Sequence, residues 1–434
     1  MNLSRHALRL GPLQLAIAAL LAGGTGLAHA DALQDLAAKV EALQKEIADM
    51  KKQQTTASPA NAVTGGATKG SFKLPGSDTS VTVGGYVKLD ALYSSRSAGA
   101  NSAADQLLDP TAIAVGPTAG ANERHQITLH ARQSRLFVRT ATPTAWGDVN
   151  THLEFDLFGS AGNESVSNSH NLRLRHAYGT LGGLLAGQTW SNFMMVSALP
   201  ETLDFGGPVG QTFVRQAQVR WTRPFSGGQW SVALENPETV VSRPDGTTFR
   251  ADDDRAFDLT GNIGFKTTYG DFALAGLVRQ IRTDSATPAT LDSKVGGGIA
   301  AYGIVPTFGK DSLSFGLAGG NAIGRYWGGL LTDGFIDAAG NLDLPDQVGG
   351  FVAYRHVWTP QLRSTLALGA LKVTNPSFAV ATQTRRMESA HLNLIWSPVA
   401  NTSIGAEYIF GRREVQNGLT GNLNRLQASV QTSF

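Results

Sequence analysis

The stretch that decides the fold is VTVGGYVKLDALY, residues 81–93. Its apolar side chains share one parity and stand at Val81, Val83, Val87, Leu89 and Tyr93. Its polar and amphipathic side chains fall on the other parity, at Thr82, Tyr86, Lys88 and Asp90. Because successive side chains of an extended strand point to opposite faces, this alternation predicts a β-strand with one apolar face and one polar face.

The same alternation recurs from about residue 80 to the last residue of the chain. Clear examples are residues 149–157, 172–175 and 425–434, where aliphatic side chains alternate with charged or amide side chains. A soluble two-layer sandwich also alternates, with its polar face outside. Alternation alone therefore leaves two all-β fold classes open.

The links between the strands separate these two classes. We predict about 16 antiparallel strands, joined alternately by short and by long links. Short links are expected near 141–148, 181–184, 223–228, 268–271, 307–311, 359–361 and 397–401, and the long ones include 191–213, 282–294 and 413–422. Outer-membrane barrels have short periplasmic turns and longer external loops. This rhythm predicts an all-β transmembrane barrel over residues 80–434.

The composition agrees with a membrane barrel. Charged residues make up 16% of the chain and 50 residues are glycine, whereas soluble domains carry about 25% charged residues. Outside the N-terminus there is no apolar run of the ~18 residues that a membrane-spanning helix needs. The chain has no cysteine, and its formal net charge of +2 gives no reason to expect nucleic acid as a partner.

Residues 1–30 are predicted to be a cleaved signal peptide. Arg5 and Arg9 precede an apolar stretch at 13–27, and Ala28-His29-Ala30 has the small-x-small pattern of a cleavage site. An uncleaved membrane anchor is the alternative. The first interpretation implies export, and together with the predicted barrel it indicates a Gram-negative outer membrane.

Residues 31–53 are predicted to form an α-helical coiled coil in the periplasm. Apolar side chains recur at alternating intervals of three and four residues, at Leu33, Leu36, Val40, Leu43, Ile47 and Met50. This is the a/d pattern of a coiled coil, although the helix could instead pack on its own barrel. Residues 54–79 are expected to be a flexible linker. An even number of strands would place both barrel ends on the periplasmic side.

The strand ends carry aromatic residues of the kind found at membrane interfaces. Trp221, Trp230, Trp358 and Trp396 flank predicted short turns, where an aromatic girdle belongs. Phe434 ends the chain on the apolar parity of the last strand, and this arrangement is similar to the signal that the barrel-assembly machinery reads. Outer-membrane lipid and lipopolysaccharide are the partners expected around such a wall.

The chain resembles the DcaP-like porins, a family of trimeric outer-membrane channels named for dicarboxylic acid uptake. The resemblance covers most of the mature sequence and rests on motifs in order, such as GYVKLDALY at 85–93, ARQSRLFVRT at 131–140, GQTWSNF at 187–193 and GAEYIFGRRE at 405–414. It implies a homotrimer, a water-filled lumen in each subunit and a preference for small anionic solutes, including dicarboxylates.

Charged residues on the strands should mostly point into the lumen, because a charge on the lipid face costs roughly 2–4 kcal/mol at mid-bilayer. From residue 80 onward there are 23 arginines and 5 lysines, and guanidinium groups hold carboxylates bidentately. We predict a pore-lining, anion-binding set of cations at Lys88, Arg135, Arg139, Arg173, Arg175 and Arg220. The alternative is that inward carboxylates such as Glu154 and Asp156 pair with these cations and stiffen the wall without selecting solutes.

The long link 191–213 contains Pro200, Gly206, Gly207 and Pro208, which make a strand there unlikely to form. We expect this link to fold inward as a constriction loop, with Glu201 and Asp204 facing the arginines across the pore. An external loop that only covers the mouth is the alternative.

No nucleophile or phosphate-binding motif accompanies the strands, so we predict neither an enzyme nor a cofactor or metal site. The predicted function is passive diffusion of small anions through an arginine-lined, loop-narrowed lumen. Two alternatives remain open. One is a sugar-selective or general porin. A sugar porin needs a file of inward aromatic side chains, and this alternative is weakened because Tyr86 and Phe137 are the only clear inward aromatics on the early strands. The other is a barrel that anchors the cell wall and transports little.

Overall fold

The computed structural model describes residues 28–56, 63–96, 107–116, 124–160, 166–251, 254–286 and 289–434. The chain divides into two compact units, Met1–Thr64 and Gly65–Phe434. Apart from its last three residues, the predicted signal peptide lies outside the described residues. Within the described ranges, no helix has both the length and the hydrophobicity required to cross a membrane.

The first unit contains one long helix, α1, which spans Ala28–Thr56. It includes the predicted helix 31–53 and extends it at both ends. The heptad side chains from Leu36 to Met50 are each at least 41% exposed. An apolar seam on a lone helix has no core to bury it. The helix is therefore confirmed, whereas the coiled coil stays a prediction.

The described part of the second unit contains 22 strands. In chain order they are β1 (Phe72–Lys73), β2 (Ser80–Arg96), β3 (Arg124–His130), β4 (Arg135–Thr142), β5 (Val149–Asp156), β6 (Arg173–Leu181), β7 (Leu184–Trp190), β8 (Arg215–Phe225), β9 (Gly228–Glu235), β10 (Thr239–Ser242), β11 (Thr248–Ala251), β12 (Asp258–Thr267), β13 (Gly270–Ala286), β14 (Ala289–Pro306), β15 (Ser312–Asn321), β16 (Gly334–Ile336), β17 (Leu342–Asp343), β18 (Asp346–Val357), β19 (Leu362–Thr374), β20 (Thr384–Val399), β21 (Thr402–Val415) and β22 (Thr420–Ser433).

Eighteen of these strands form one closed sheet, in which every pairing is antiparallel. The last strand pairs with the first long one, with Val430 opposite Leu89, so the sheet closes into a barrel. Both β3 and β4 pair with β2 and are the two halves of one strand, interrupted at 131–134. The two-residue β1 lies beside the start of β2, inside the region predicted to be a flexible linker. Without β1, and with β3 and β4 counted together, the barrel has the predicted 16 strands.

The short links of the barrel fall at the predicted places and contain two to six residues. Two of the predicted long links are wrong. Strands β13 and β14 continue to Ala286 and Ala289, because they keep pairing with each other through the polar residues of the predicted loop 282–294. In the second case, β21 and β22 are joined by residues 416–419 alone.

The barrel wall reverses the burial pattern of a soluble protein. Along β22, Leu426 and Val430 are exposed, whereas Arg425 and Gln427 are 1% and 3% exposed. The same inversion is seen on β2, where exposed Leu89 stands beside buried Lys88. An apolar outer face and a polar inner face are what a barrel in lipid requires.

An apolar core fills part of the barrel interior. The links 191–214 and 322–345 bring Phe193, Val209 and Trp327 against the inner faces of β13, β14, β15, β19 and β20. Small wall residues permit this packing, since a Cβ atom at Gly369 would lie 1.9 Å from the carbonyl oxygen of Val209. The core therefore closes this part of the interior, and cavities remain beside β4–β8 and near the short turns of β8, β9, β12 and β13.

A second sheet of four strands, β10, β11, β16 and β17, is formed by two of the long links. It includes a parallel pair between β10 and β16. Arg279 of β13 is fully buried beneath it and bonds Asp333 at 2.7 Å and Asp258 at 3.2 Å. Because one guanidinium joins two carboxylates from different elements, it ties this sheet to the barrel wall.

Candidate functional site: the arginine wall and the inward loop

The link between β7 and β8, residues 191–214, crosses the inside of the barrel. The backbone N–H of Leu203 donates to Glu407 Oε2 at 2.5 Å, and that of Val209 donates to Ser389 Oγ at 2.9 Å. The amide of Asn393 donates to the carbonyl of Glu201 at 2.8 Å. Strands β20 and β21 are far from β7 around the ring. The link, called the inward loop below, therefore spans the barrel and is fastened to the opposite wall.

Neither predicted acidic residue of the loop faces the arginines of the early strands. Glu201 forms a bidentate ion pair with Arg363, at 2.7 and 2.8 Å, on the far wall. Asp204 is 2% exposed and accepts from the backbone N–H groups of Leu108 and Gly207. Burial raises the pKa of the Asp204 carboxyl. The expectation of two carboxylates opposite the arginines is thus corrected, because the loop uses both of them to hold itself in place.

Two of the predicted cations, Arg173 and Arg175, lie where the loop passes the wall. Arg173 holds Asp156 bidentately, at 2.6 and 2.9 Å. Arg175 bridges Glu154 at 2.7 Å and Asp156 at 2.8 Å. Fixed carboxylates thus orient both guanidinium groups. Arg173 keeps about a third of its side chain exposed, whereas Arg175 is almost fully covered.

Arg135 and Arg139 lie nearer to the short turns. Arg135 lies over the ring of Tyr86 and 3.4 Å from Glu154. Arg139 is exposed, lies over Phe137 and forms no ion pair with any described carboxylate. Arg139 is therefore a cation that water and solutes can reach from this end of the barrel.

Sequence reasoning missed Arg215, the first residue of β8. Its parity is opposite to that of Gln216 and Arg220, and alternation alone therefore assigns it to the lipid face. The returning loop instead brings its guanidinium over the rings of Trp190, at 4.6 Å, and Phe213, at 5.5 Å. No described carboxylate pairs with it, and its buried Nη1 has no hydrogen-bond partner in the described residues. The signal that could have found it was the high cost of a charge facing lipid.

Lys88 and Arg220 have different surroundings from the other predicted cations. Lys88 is 3% exposed, pairs with Asp90 at 3.1 Å and donates to the carbonyl of Leu203 at 2.7 Å. The inward loop covers this ammonium group, so a passing solute cannot reach it. Arg220 lies in a separate cavity with Asn262 and Lys266, away from the arginines described above.

Aromatic rings frame the arginines. Phe205 of the inward loop lies 5.0 Å from the guanidinium of Arg173 and packs on Phe158, with ring centroids 4.7 Å apart. Phe213 contacts both Phe205 and Trp190. The loop therefore presents phenyl rings to the arginines, where carboxylates were predicted. The inner face also carries more aromatic side chains than Tyr86 and Phe137, which corrects the sequence-based expectation.

Two cavities adjoin this group of arginines and aromatic rings. One, of about 720 Å³, is lined by Arg173, Arg215 and residues of the long links. The other, of about 890 Å³, is lined by Arg135, Arg139, Arg175 and residues near the short turns. Five of the eight guanidinium groups that line the two cavities lie on β4–β8. The only carboxylates on β4–β8 are Glu154 and Asp156, so these five groups exceed the carboxylates of the same strands by three. No group of three or more potential metal ligands occurs among the described residues.

Comparison with known proteins identifies the family. The profile of the DcaP outer membrane protein family matches residues 68–434. The outer membrane channel DcaP of Acinetobacter baumannii has a similar structure, with a TM-score of 0.72 and 23% identity over 86% of this chain and 100% of that one. An anion-selective porin from Comamonas acidovorans aligns with a TM-score of 0.54 and 13% identity over 82% of this chain and 100% of that one.

A third structure, the trimer form of OmpT, an outer membrane protein of Vibrio cholerae, has a TM-score of 0.51 and 10% identity over 82% of this chain and 99% of that one. No curated protein matches the sequence. At these identities the structural likenesses establish only the fold, whereas the profile match extends over most of the chain. The chain belongs to the DcaP outer membrane protein family.

Proposed function

We propose that this protein is an outer-membrane channel through which small anions, dicarboxylates among them, diffuse past a constriction. The constriction is formed by Arg173, Arg175 and Arg215 with the rings of Trp190, Phe205 and Phe213. The observation that supports this most is the charge surplus of the wall. Arg173 and Arg175 are held rigid by Glu154 and Asp156. Arg215 and Arg139 lack carboxylate partners among the described residues and are left to interact with a solute.

The geometry suits a carboxylate that exchanges partners as it moves. Arg215 and Arg173 line the cavity on the long-link side, and Arg175, Arg135 and Arg139 line the other. Successive sites of moderate affinity permit both entry and exit, which conduction requires. Guanidinium groups also bind a carboxylate through two parallel hydrogen bonds. A solute with two carboxylates can contact a site on each side of the constriction.

Planar-bilayer recordings of the wild type and Arg215→Gln would test this proposal. At roughly 8 Å from the solute path, a unit charge contributes about 0.5–2 kcal/mol for dielectric constants between those of water and protein, so the chloride-to-potassium permeability ratio should fall roughly two- to thirtyfold. Arg223→Gln is the matched control, because this exposed arginine is near the short turn at the other end of β8. A wild-type channel without anion preference, or equal ratios for wild type and Arg215→Gln, would refute the proposal.

We also propose that the protein is a homotrimer joined through the wall formed by β5, β6 and β7. These strands have 8, 9 and 7 residues, and about 9–11 residues are needed to cross the hydrocarbon layer. Because these strands are short, this part of the barrel does not match the thickness of the hydrocarbon layer. Contact with a neighbouring copy of the chain would shield it from lipid. The exposed heptad seam of α1 favours association of several copies through a periplasmic coiled coil, but its spacing does not set their number. Native mass spectrometry of the detergent-solubilised protein would give the number directly.

A second candidate is a sugar-selective porin, which the rings of Trp190, Phe205 and Phe213 at the constriction favour. Sugars stack on aromatic faces, whereas anions need the guanidinium groups. Block of the ion current by succinate, with maltose inactive, supports the anion channel. Block by maltose that survives Arg215→Gln supports the sugar channel.

A further inference from the structure

A cavity of about 780 Å³ lies on the outer face of the barrel wall, across β15, β18, β19 and β20. The side chains that line it on the outward parity include Leu317, Val348, Val352 and Leu368. Each of them is exposed, whereas their neighbours Phe351 and Ala367 on the inward parity are buried. The cavity, called the outer groove below, is therefore a depression in the surface that faces lipid.

The middle of the outer groove is formed by a row of the wall that contains two small residues. Gly350 is paired with Ala370, and Leu317 stands beside them on β15. The neighbouring row, with Val352 opposite Leu368, is bulkier and forms one border. On its other side the row is followed by Val348 opposite Lys372, and beyond Ala370 it continues to Glu388. Gly350 and Ala370 thus leave a depression between bulkier side chains, and this depression suits a hydrocarbon chain.

One end of the outer groove is basic. Lys372 and Arg386 are direct cross-strand partners on the outward face. Glu388 bonds Arg386 at 2.5 Å and approaches Arg412 at 3.7 Å. Lys372 pairs with no described carboxylate, and two cations directly opposite each other destabilise a sheet unless an anion lies between them. The groove therefore combines an apolar floor with a site for an anion.

The basic end lies on the external side of the membrane. It stands at the ends of β19 and β20 that are joined by the link 375–383, and the longer links of such barrels are external. The wall here is tall, since β18, β19 and β20 have 12, 13 and 16 residues. It is long enough to face the whole hydrocarbon layer.

We propose that the outer groove binds the lipid A part of lipopolysaccharide, with an acyl chain on Gly350 and Ala370 and a phosphate between Lys372 and Arg386. Lipopolysaccharide forms the external leaflet of the outer membrane and joins several acyl chains to phosphate. Its chemistry matches an apolar groove that ends in cations on that side. This inference rests on the outer-membrane location of the barrel and is independent of the selectivity of its pore.

Native mass spectrometry of the full mature protein, titrated with bisphosphorylated lipid A, tests the proposal. Each basic side chain near an anionic membrane contributes about 1 kcal/mol, or about fivefold. The double variant Lys372→Gln/Arg386→Gln should therefore weaken binding roughly 25-fold. Arg250→Gln is the matched control, since this exposed arginine lies on β11, away from the groove. Ala370→Leu should weaken binding with no change of charge.

Several results would overturn the proposal. The first is equal binding of lipid A by the double variant and the control. The second is that the wild type binds dephosphorylated lipid A as tightly as the bisphosphorylated form. The third is equally tight binding of phosphatidylglycerol, which would make the groove a general lipid surface. Loss of the trimer in Ala370→Leu would show that a second copy fills the groove. A heat-dependent gel shift reports folding of each variant. Anion selectivity, measured on the same preparations, separates failure of this inference from failure of the channel proposal.

Discussion

Replacing Glu407 by alanine would test whether the inward loop sets the pore. The Glu407 carboxylate accepts the backbone N–H of Leu203 at 2.5 Å, the amide of Asn393 at 3.1 Å and the imidazole of His391 at 3.0 Å. It is 2% exposed, so no solvent replaces it without rearrangement. Glu407→Ala leaves the backbone N–H of Leu203 and one of the two N–H groups of the Asn393 amide without an acceptor, while the amide keeps its bond to the carbonyl of Glu201.

The structure sets the size of the effect. Each buried donor left unsatisfied costs about 1–3 kcal/mol, so the free energy that holds the loop against β21 should fall by roughly 2–6 kcal/mol. The loop keeps its bonds from Val209 to Ser389 and from Glu201 to Arg363. We therefore expect a loop that is held at fewer points and leaves the constriction part of the time, and a barrel that still folds.

Single-channel recording in planar bilayers measures this change as a higher mean conductance with more open-channel noise. Glu388→Ala is the matched control, because this carboxylate lies on the outer face of β20 and pairs with Arg386 and Arg412. It should leave the conductance unchanged. A folded Glu407→Ala channel with wild-type conductance and noise would refute the idea that the loop limits the pore.

Three further predictions concern the parts around the pore. Arg279→Ala leaves two buried carboxylates without their cation and should lower the free energy of unfolding by about 3–5 kcal/mol, seen as a lower temperature of the gel shift from folded to unfolded barrel. The backbone N–H of Val357, with two neighbouring side chains, lowers the pKa of Asp311 from 3.8 to about 2. Asp311→Asn should therefore lower the unfolding temperature at pH 7, and its difference from wild type should disappear as the pH falls from about 4 to about 2. Leu43→Asn with Ile47→Asn should lower the temperature at which trimers dissociate, and an unchanged temperature would argue against the coiled coil.

The fold could be predicted from the sequence because it depends on local order. Alternation in stretches such as 81–93 identifies both faces of a strand, and the positions of the short links give the strand number. The same alternation placed Arg173 and Arg175 inside. Two predicted loops, 282–294 and 413–422, were wrong because neighbouring wall strands keep pairing with each other beyond the membrane. The residue types do not reveal this pairing.

The functional site depended on contacts between residues far apart in the chain. The side of the barrel to which the inward loop is fastened follows from Glu407 and Ser389, more than 170 residues away from the loop. Parity assigned Arg215 to lipid, and the loop turned it inward. The loop's carboxylates were expected to face the arginines, but they are used to anchor the loop.

By itself, the amino-acid sequence determined that this chain is a membrane barrel of 16 strands preceded by a helix. The reason is that the alternation of apolar and polar side chains is a local property, since successive residues of a strand face lipid and water in turn. Only the tertiary structure decided where the barrel is open, and which guanidinium groups do or do not have a carboxylate partner among the described residues. Those outcomes depend on how a loop packs across the lumen. Close packing joins residues that are far apart in the chain, and a local sequence pattern does not show which of them will meet.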